Sequence, residues 1–257
     1  MQGSVSLSRA AIDMLWERIG LGTRPYPFEI PHHGETMDDR ERIRNAVFSD
    51  LEGRGLVHRG RPEPELVDAL TTLVRSDVAI AVIGLLDVEH ERFLLARAAA
   101  RGQFAVLGVL DDRMLHIDFI RHTALPMSVI RLLPPNPAGP GRSVTLARPV
   151  VRSREPDDDA GFHLETAASW TGGQARAAEV ILERPRLRLG QFAVSAMDQL
   201  NRWHRLPSPS WFDTDEGRYL AQTRRAGDGQ EWVTYAPADN NRLAFRLGEM
   251  LNELTQR

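Results

Sequence analysis

Four apolar runs of strand length follow one another with almost nothing between them, and this spacing restricts the fold more than any other feature of the chain. They occupy residues 78–86, 92–99, 103–110 and 114–119. Their connections, Asp87-Val88-Glu89-His90, Ala100-Arg101-Gly102 and Asp111-Asp112-Arg113, are short and polar. A parallel pair would need a crossover of a dozen or more residues, so these connections require an antiparallel meander.

Helical patterns flank the meander. Residues 8–19 place Ala11, Met14, Leu15 and Ile19 on one face behind a Ser6 or Ser8 cap, and Gly20 and Gly22 end the run. Residues 26–30, framed by Pro25, Pro27 and Pro31, read as a short edge strand. Thr36 caps a second helix to about residue 51, and a third covers 63–74 with prolines in its first turn. After the meander come a short helix at 124–133, a Pro/Gly connector at 134–141 and one strand within 143–151. Residues 152–160, with Asp157, Asp158 and Asp159, form a solvated break. Beyond it a helix within 163–183 leads to strands near 187–197, 203–206, 217–223 and 231–235, then a final helix at about 237–254.

Both halves, 1–151 and 160–257, thus run helices, meander, closing helix within one domain. The string Gly-Gln-Phe-Ala-Val occurs at 102–106 and again at 190–194. Together these features predict an α+β fold: an antiparallel sheet flanked by two helical bundles, with pseudo-twofold related halves that share equivalent strings.

Composition removes much chemistry. All 32 basic residues are arginine and there is no cysteine. A Walker A loop, a Schiff-base site, a kinase ATP site and a thiol nucleophile each need a residue type the chain lacks. Such use of arginine alone fits a GC-rich genome. The net charge of −3 gives no general pull toward nucleic acid. No apolar run is long enough for a membrane helix, and the N-terminus does not resemble a signal peptide, so a soluble cytoplasmic protein is expected.

The sharpest chemical candidate is Asp213-Thr214-Asp215-Glu216-Gly217, where Asp213 and Asp215 could bind a divalent cation through oxygen. It does not match an EF-hand, because Arg224 stands where the closing carboxylate belongs. The competing reading is an acidic turn before a strand, with Asp213 or Thr214 bonding local amides. The histidines lack helical metal spacing, and no nucleophile elbow occurs. The expectation is no catalytic residue, no metal and no cofactor.

What remains is apolar material in unusual places. In the final helix, Leu243, Leu247, Met250, Leu251 and Leu254 form the core stripe, and Phe245 lies nearly opposite. Trp170 and Ile181 fall off the Leu164–Ala168–Ala175–Ala178–Leu182 stripe of the preceding helix. Each is either covered by another element or marks a partner contact.

Taken in order, these residues resemble the EspG family of ESX (type VII) secretion-associated chaperones. The likeness opens with Met14-Leu15-Trp16-Glu17, Gly20-Leu21-Gly22 and His33-Gly34. It continues through Leu51-Glu52-Gly53-Arg54-Gly55-Leu56 and Gly139-Pro140-Gly141-Arg142. It closes with Trp211-Phe212-Asp213-Thr214-Asp215-Glu216-Gly217-Arg218-Tyr219, Trp232-Val233-Thr234 and Pro237-Ala238-Asp239. The GC-rich composition suits an actinobacterial system. The resemblance implies a chaperone that binds the hydrophobic tip of the PPE subunit in a PE–PPE heterodimer, keeps it soluble and directs it to export. It further implies binding through a C-terminal helical bundle, here residues 163–183 and 237–254, helped by a hairpin turn, here 86–91. The candidate contacts are therefore Phe245, Trp170, Ile181, Val88 and Glu89. A homodimer of the free chain is an open alternative. The rival functions are a metal-dependent enzyme at Asp213 and Asp215, and an EspG-like interaction protein with a non-PPE client.

Overall fold

The computed structural model describes residues 3–147, 173–200 and 202–256. Strand β1 (Ser4–Ser8) runs straight into α1 (Arg9–Ile19), because Ser8 both ends the strand and caps the helix, its Oγ accepting from the Ala11 amide at 3.1 Å. Gly20, at φ 71°, closes α1 in the left-handed conformation. Helix α2 (Met37–Gly53) is capped by Thr36. A small ribbon, β2 (Val57–His58) with β3 (Arg61–Pro62), precedes α3 (Pro64–Val74). The meander follows as β4 (Val78–Asp87), β5 (Arg92–Arg101), β6 (Phe104–Leu110) and β7 (Met114–Arg121), closed by α4 (Leu125–Ile130).

The second half runs β8 (Val144–Ala147), α5 (Gly173–Leu182), β9 (Arg188–Met197) and β10 (Trp203–Arg205). It ends with β11 (Ser210–Thr214), β12 (Gly217–Arg225), β13 (Glu231–Pro237) and α6 (Asn240–Thr255). Asp239 caps α6 by accepting from the Arg242 amide at 2.8 Å.

Eleven of these strands form one sheet in the order β1-β7-β6-β5-β4-β9-β11-β12-β13-β8, with β10 paired to β9. Every pairing between its strands is antiparallel. Helices cover both faces, so the central strands are apolar on both sides and do not alternate. On β4, Ile80 and Val82 point to the core shared with α4 and α6, which also holds Phe192, Trp211, Leu243 and Leu247. Ala79 points the other way, to the core shared with α1, α2 and α3. Helix α5 packs on that second face too. Its Ala178 and Ile181 meet Phe212 and Tyr219, while Trp211, one residue before Phe212, belongs to the α4/α6 core. Full burial of one such leucine or isoleucine is worth about 1.5–3 kcal/mol.

Three expectations need correction. Residues 26–30 form turn and loop, not an edge strand; the edge is β1, whose short Ser/Val alternation is a weak signal. β8 pairs with β13, so residues 144–147 belong with the second half, and the chain passes between halves in the 134–143 connector. The repeated string is coincidence. Its first copy spans the β5–β6 turn and sends Phe104 to the α1–α3 core; its second lies inside β9 and sends Phe192 to the α4/α6 core. Residues 148–172, which include the acidic break and the start of the expected helix, lie outside the described residues.

Candidate binding surface

On the face that carries α1–α3 and α5, those helices leave the middle of the sheet less covered. α3 packs over β5 and β6, and α5 against β8, on either side of β4 and β9. Cross-strand pairing aligns Leu85 with Phe93 and Leu189, and Ile83 with Leu95 and Gln191, on this one face. Phe93 is 65% exposed and Leu187 45%, while Ile83, Leu85, Leu95 and Leu189 are half-buried. Val88, 41% exposed, sits in the adjoining β4–β5 turn with the exposed Glu89. Phe93 follows the turn directly, where the register shifts between Leu85 and Asp87. The Asp87 carboxylate holds that turn, accepting from the amides of Glu89 and His90, both at 3.1 Å. These bonds and the His90 ring beside it hold its carboxyl below the usual range. The result is a contiguous apolar strip on a rigid sheet, bordered by a fixed turn and by α5.

The expected contact residues are not brought together. Val88 and Glu89 stand at the mouth of the strip. Ile181 is 6% exposed and belongs to the core with Ala178, Phe212 and Tyr219. The expected stripe assumed register from residue 164; the described helix instead turns its Ala178–Ile181 edge to the sheet. Phe245 is 69% exposed, but α6 packs on the opposite face of the sheet, against α4 and β9. Helices α5 and α6 therefore do not form one bundle surface. Trp170 lies outside the described residues. Sequence reading missed Phe93 and Leu187, because a strand buried on both faces hides which apolar residue is left uncovered.

The acidic candidate is a structural clasp. Asp213, fully buried in β11, receives Arg218 Nε at 2.6 Å and Nη2 at 2.9 Å, with Arg188 at 3.3 Å. The Arg218 guanidinium also donates to the Pro134 carbonyl at 2.9 Å and to the Asn240 side chain. Asp215 pairs with Arg184 at 3.3 Å. Thr214 Oγ1 accepts from the Glu216 amide at 3.2 Å, as a turn requires. The two aspartates are thus answered by separate guanidiniums and do not converge on a common point. No group of three or more metal-ligating side chains occurs among the described residues.

A second concavity of about 560 Å³ is lined by Asp13, Trp16, Glu17, Arg24, His32 and Arg40. Its carboxylates are also answered, Asp13 by Arg24 at 2.7 Å and Arg40 at 2.9 Å, and Glu17 by Arg40 and Arg44. It fastens the 20–36 loop to α1.

A family model described as EspG family matches residues 8–249. The chain belongs to the EspG family. Among solved structures, this EspG chain is similar to the Mycobacterium tuberculosis type VII secretion system chaperone EspG5 in complex with a PE25-PPE41 dimer. The TM-score is 0.64 at 12% identity, over 98% of this chain and 97% of that chain. At that identity the likeness is one of fold. No curated protein matches the chain.

Proposed function

We propose that this EspG-family chain is a non-enzymatic, cytoplasmic chaperone of a type VII secretion system. It binds the apolar tip of the PPE subunit in a PE–PPE heterodimer, keeps it soluble and hands it to export. The observation that carries this reading is the apolar strip of Leu85, Phe93, Leu187 and Leu189 beside the β4–β5 turn, with Phe93 and Leu187 left exposed among the described residues. Large apolar side chains left together at the surface of a soluble fold mark a binding site. Family membership supplies the kind of partner, since the related EspG5 is solved with a PE25-PPE41 dimer. The strip needs no cofactor and no reactive group for this task. Its rigid strands avoid the ordering cost that a flexible site would bear. Val88 and Glu89 are rim contacts; Phe245, on the other face, lies outside the site.

Calorimetric titration with a purified PE–PPE heterodimer tests the proposal. A stoichiometric complex that Phe93→Asp abolishes is the expected result. Absence of a complex with any PE–PPE pair, while the chain captures an unrelated protein, would assign it a different client.

A further inference from the structure

Two residues inward from the apolar strip, the floor changes character. Along β5 the side chains on this face are Phe93, Leu95, Arg97 and Ala99. Beside Arg97 stand Ala81 of β4 and Gly108 of β6, and Ala193 of β9 lies next to Ala81. Phe28 and Leu73 fill the space over Gly108, while Ala81 and Ala193 keep the β4 and β9 side low. Arg97 is only 7% exposed. Its Nε donates to the Leu73 carbonyl at 2.9 Å and its Nη1 to the Tyr26 carbonyl at 3.2 Å. Those two bonds fix the guanidinium plane. Nη2 has no hydrogen-bond partner among the described residues, and no carboxylate lies within ion-pair distance of Arg97 there.

A buried arginine normally faces a carboxylate, because an unpaired charge out of water is costly. Here the negative end of α3, where Leu73 sits, offsets only part of the charge. Burial, with a smaller effect of Arg205, pulls the Arg97 pKa down to about 10, so it stays cationic at neutral pH. Arg205 is exposed on β10, cross-strand from the buried Ser195 on the same face, and forms no ion pair among the described residues. Arg97 thus holds a fixed guanidinium edge two residues in from the strip, and Arg205, reached along β5, β4, β9 and β10, is a second cation on the same face.

We infer that Arg97 and Arg205 form a carboxylate-binding site that takes one acidic side chain of the bound PPE-type client. Continuity with the apolar strip and the charge of the two arginines select this occupant. The anion supplies the partner that Arg97 lacks, and the apolar strip excludes water from the pair. Binding then requires an aspartate or glutamate a short distance from the client's apolar anchor, which gives the surface selectivity that hydrophobicity alone cannot provide. The inference rests on the proposed chaperone role, and its test separates the two.

Titration of a PE–PPE heterodimer into wild type, Phe93→Asp, Arg205→Glu and Arg97→Gln is the first arm. Arg205 is exposed, so its variant folds even if Arg97→Gln does not. Arg205→Glu is expected to weaken client affinity at least tenfold at low salt, with the deficit shrinking as salt rises. Loss of binding in Phe93→Asp with unchanged affinity in Arg205→Glu would keep the chaperone reading and overturn the carboxylate site. If wild type binds no PE–PPE pair, the second arm decides. N-acetylglutamate amide should then shift the Arg97 side-chain N–H resonance saturably in wild type and not in Arg205→Glu, with N-acetylglutamine amide inert. A response equal for both amides, or none, would overturn the site.

Discussion

Gly190 carries no side chain because Trp211 occupies the space one would fill. A Cβ there would stand 2.6 Å from the indole Nε1 and 2.8 Å from the Ile83 carbonyl. Across the ladder Gly84 faces the same ring, so two glycines make a seat for one tryptophan. In the sequence Gly190 looked like part of a duplicated string; its reason is packing. Gly190→Ala should destabilise the free protein by about 1–3 kcal/mol, as overfilling a packed core does, and a thermal melt reads it. Asp13 shows the same gap for charge. Nothing in the sequence of α1 marks it for burial, yet it is 1% exposed and holds Arg24, Arg40 and the His33 amide, the last at 2.9 Å. Burial works to raise its pKa, but the His33 amide and Arg40 outweigh that and leave it lowered. A carboxyl lowered in the folded state stabilises above its unfolded pKa, about 4, and loses that contribution as pH falls through the folded value. Asp13→Asn, which leaves Arg24 without its carboxylate and Arg40 with Glu17 alone, should cost about 3 kcal/mol at pH 7. Urea unfolding at pH 7 and pH 3 checks both statements, since the gap between wild type and variant should narrow in acid.

Elements with their own local signals were legible in the sequence. The strands β4 to β7 match their apolar runs closely, and α1 and α2 start at Ser8 and Thr36 as their caps predict, whereas α6 starts after Asp239, which caps it and does not lie in its first turn. The strand β11 was not seen, because Asp213 and Asp215 read as turn residues; only its pairing shows that Asp213 is answered across the ladder by Arg218. Helix faces were half legible. The outward position of Phe245 follows from periodicity, but which face of the sheet α6 covers is a tertiary fact that no local pattern encodes. Two substitutions separate the faces. Phe245→Ala should change stability by less than about 0.5 kcal/mol, as at an exposed position, and leave client affinity within about twofold. Phe93→Asp should likewise spare the melting temperature yet weaken the client by more than about 2 kcal/mol, as loss of a central anchor does. Calorimetry on both variants settles which face the client uses.

At the scale of the molecule, strand order runs alike to either side of the centre, which the repeated string does not. Outward from the central β4–β9 pair, one side reads β5, β6, β7, β1 and the other β11, β12, β13, β8, and each half closes with a helix on the same face. Because β4 and β9 are antiparallel, their hairpin turns emerge at opposite ends of the sheet. One turn carries Val88 beside Phe93, the other Leu200 beside Trp203, which are 71% and 45% exposed. A twofold relation of the halves would give the chain two comparable ends, whereas a client needs only one. What distinguishes them is the neighbourhood: α5 borders the Phe93 end, and the Trp203 end lies toward Arg205. Hydrogen exchange of the free chain and of its PE–PPE complex makes this visible. The residues of the β4–β5 turn are exposed in the free chain and its amides exchange from a locally open state, so a client over the strip should slow them markedly. Peptides from α5 should slow as well. The outer face of α6, on the far side of the sheet, should exchange alike in both samples. Slowing confined to α6 and α4 would move the client to the Phe245 face, and slowing confined to the Leu200 turn would move it to the other end of the same face.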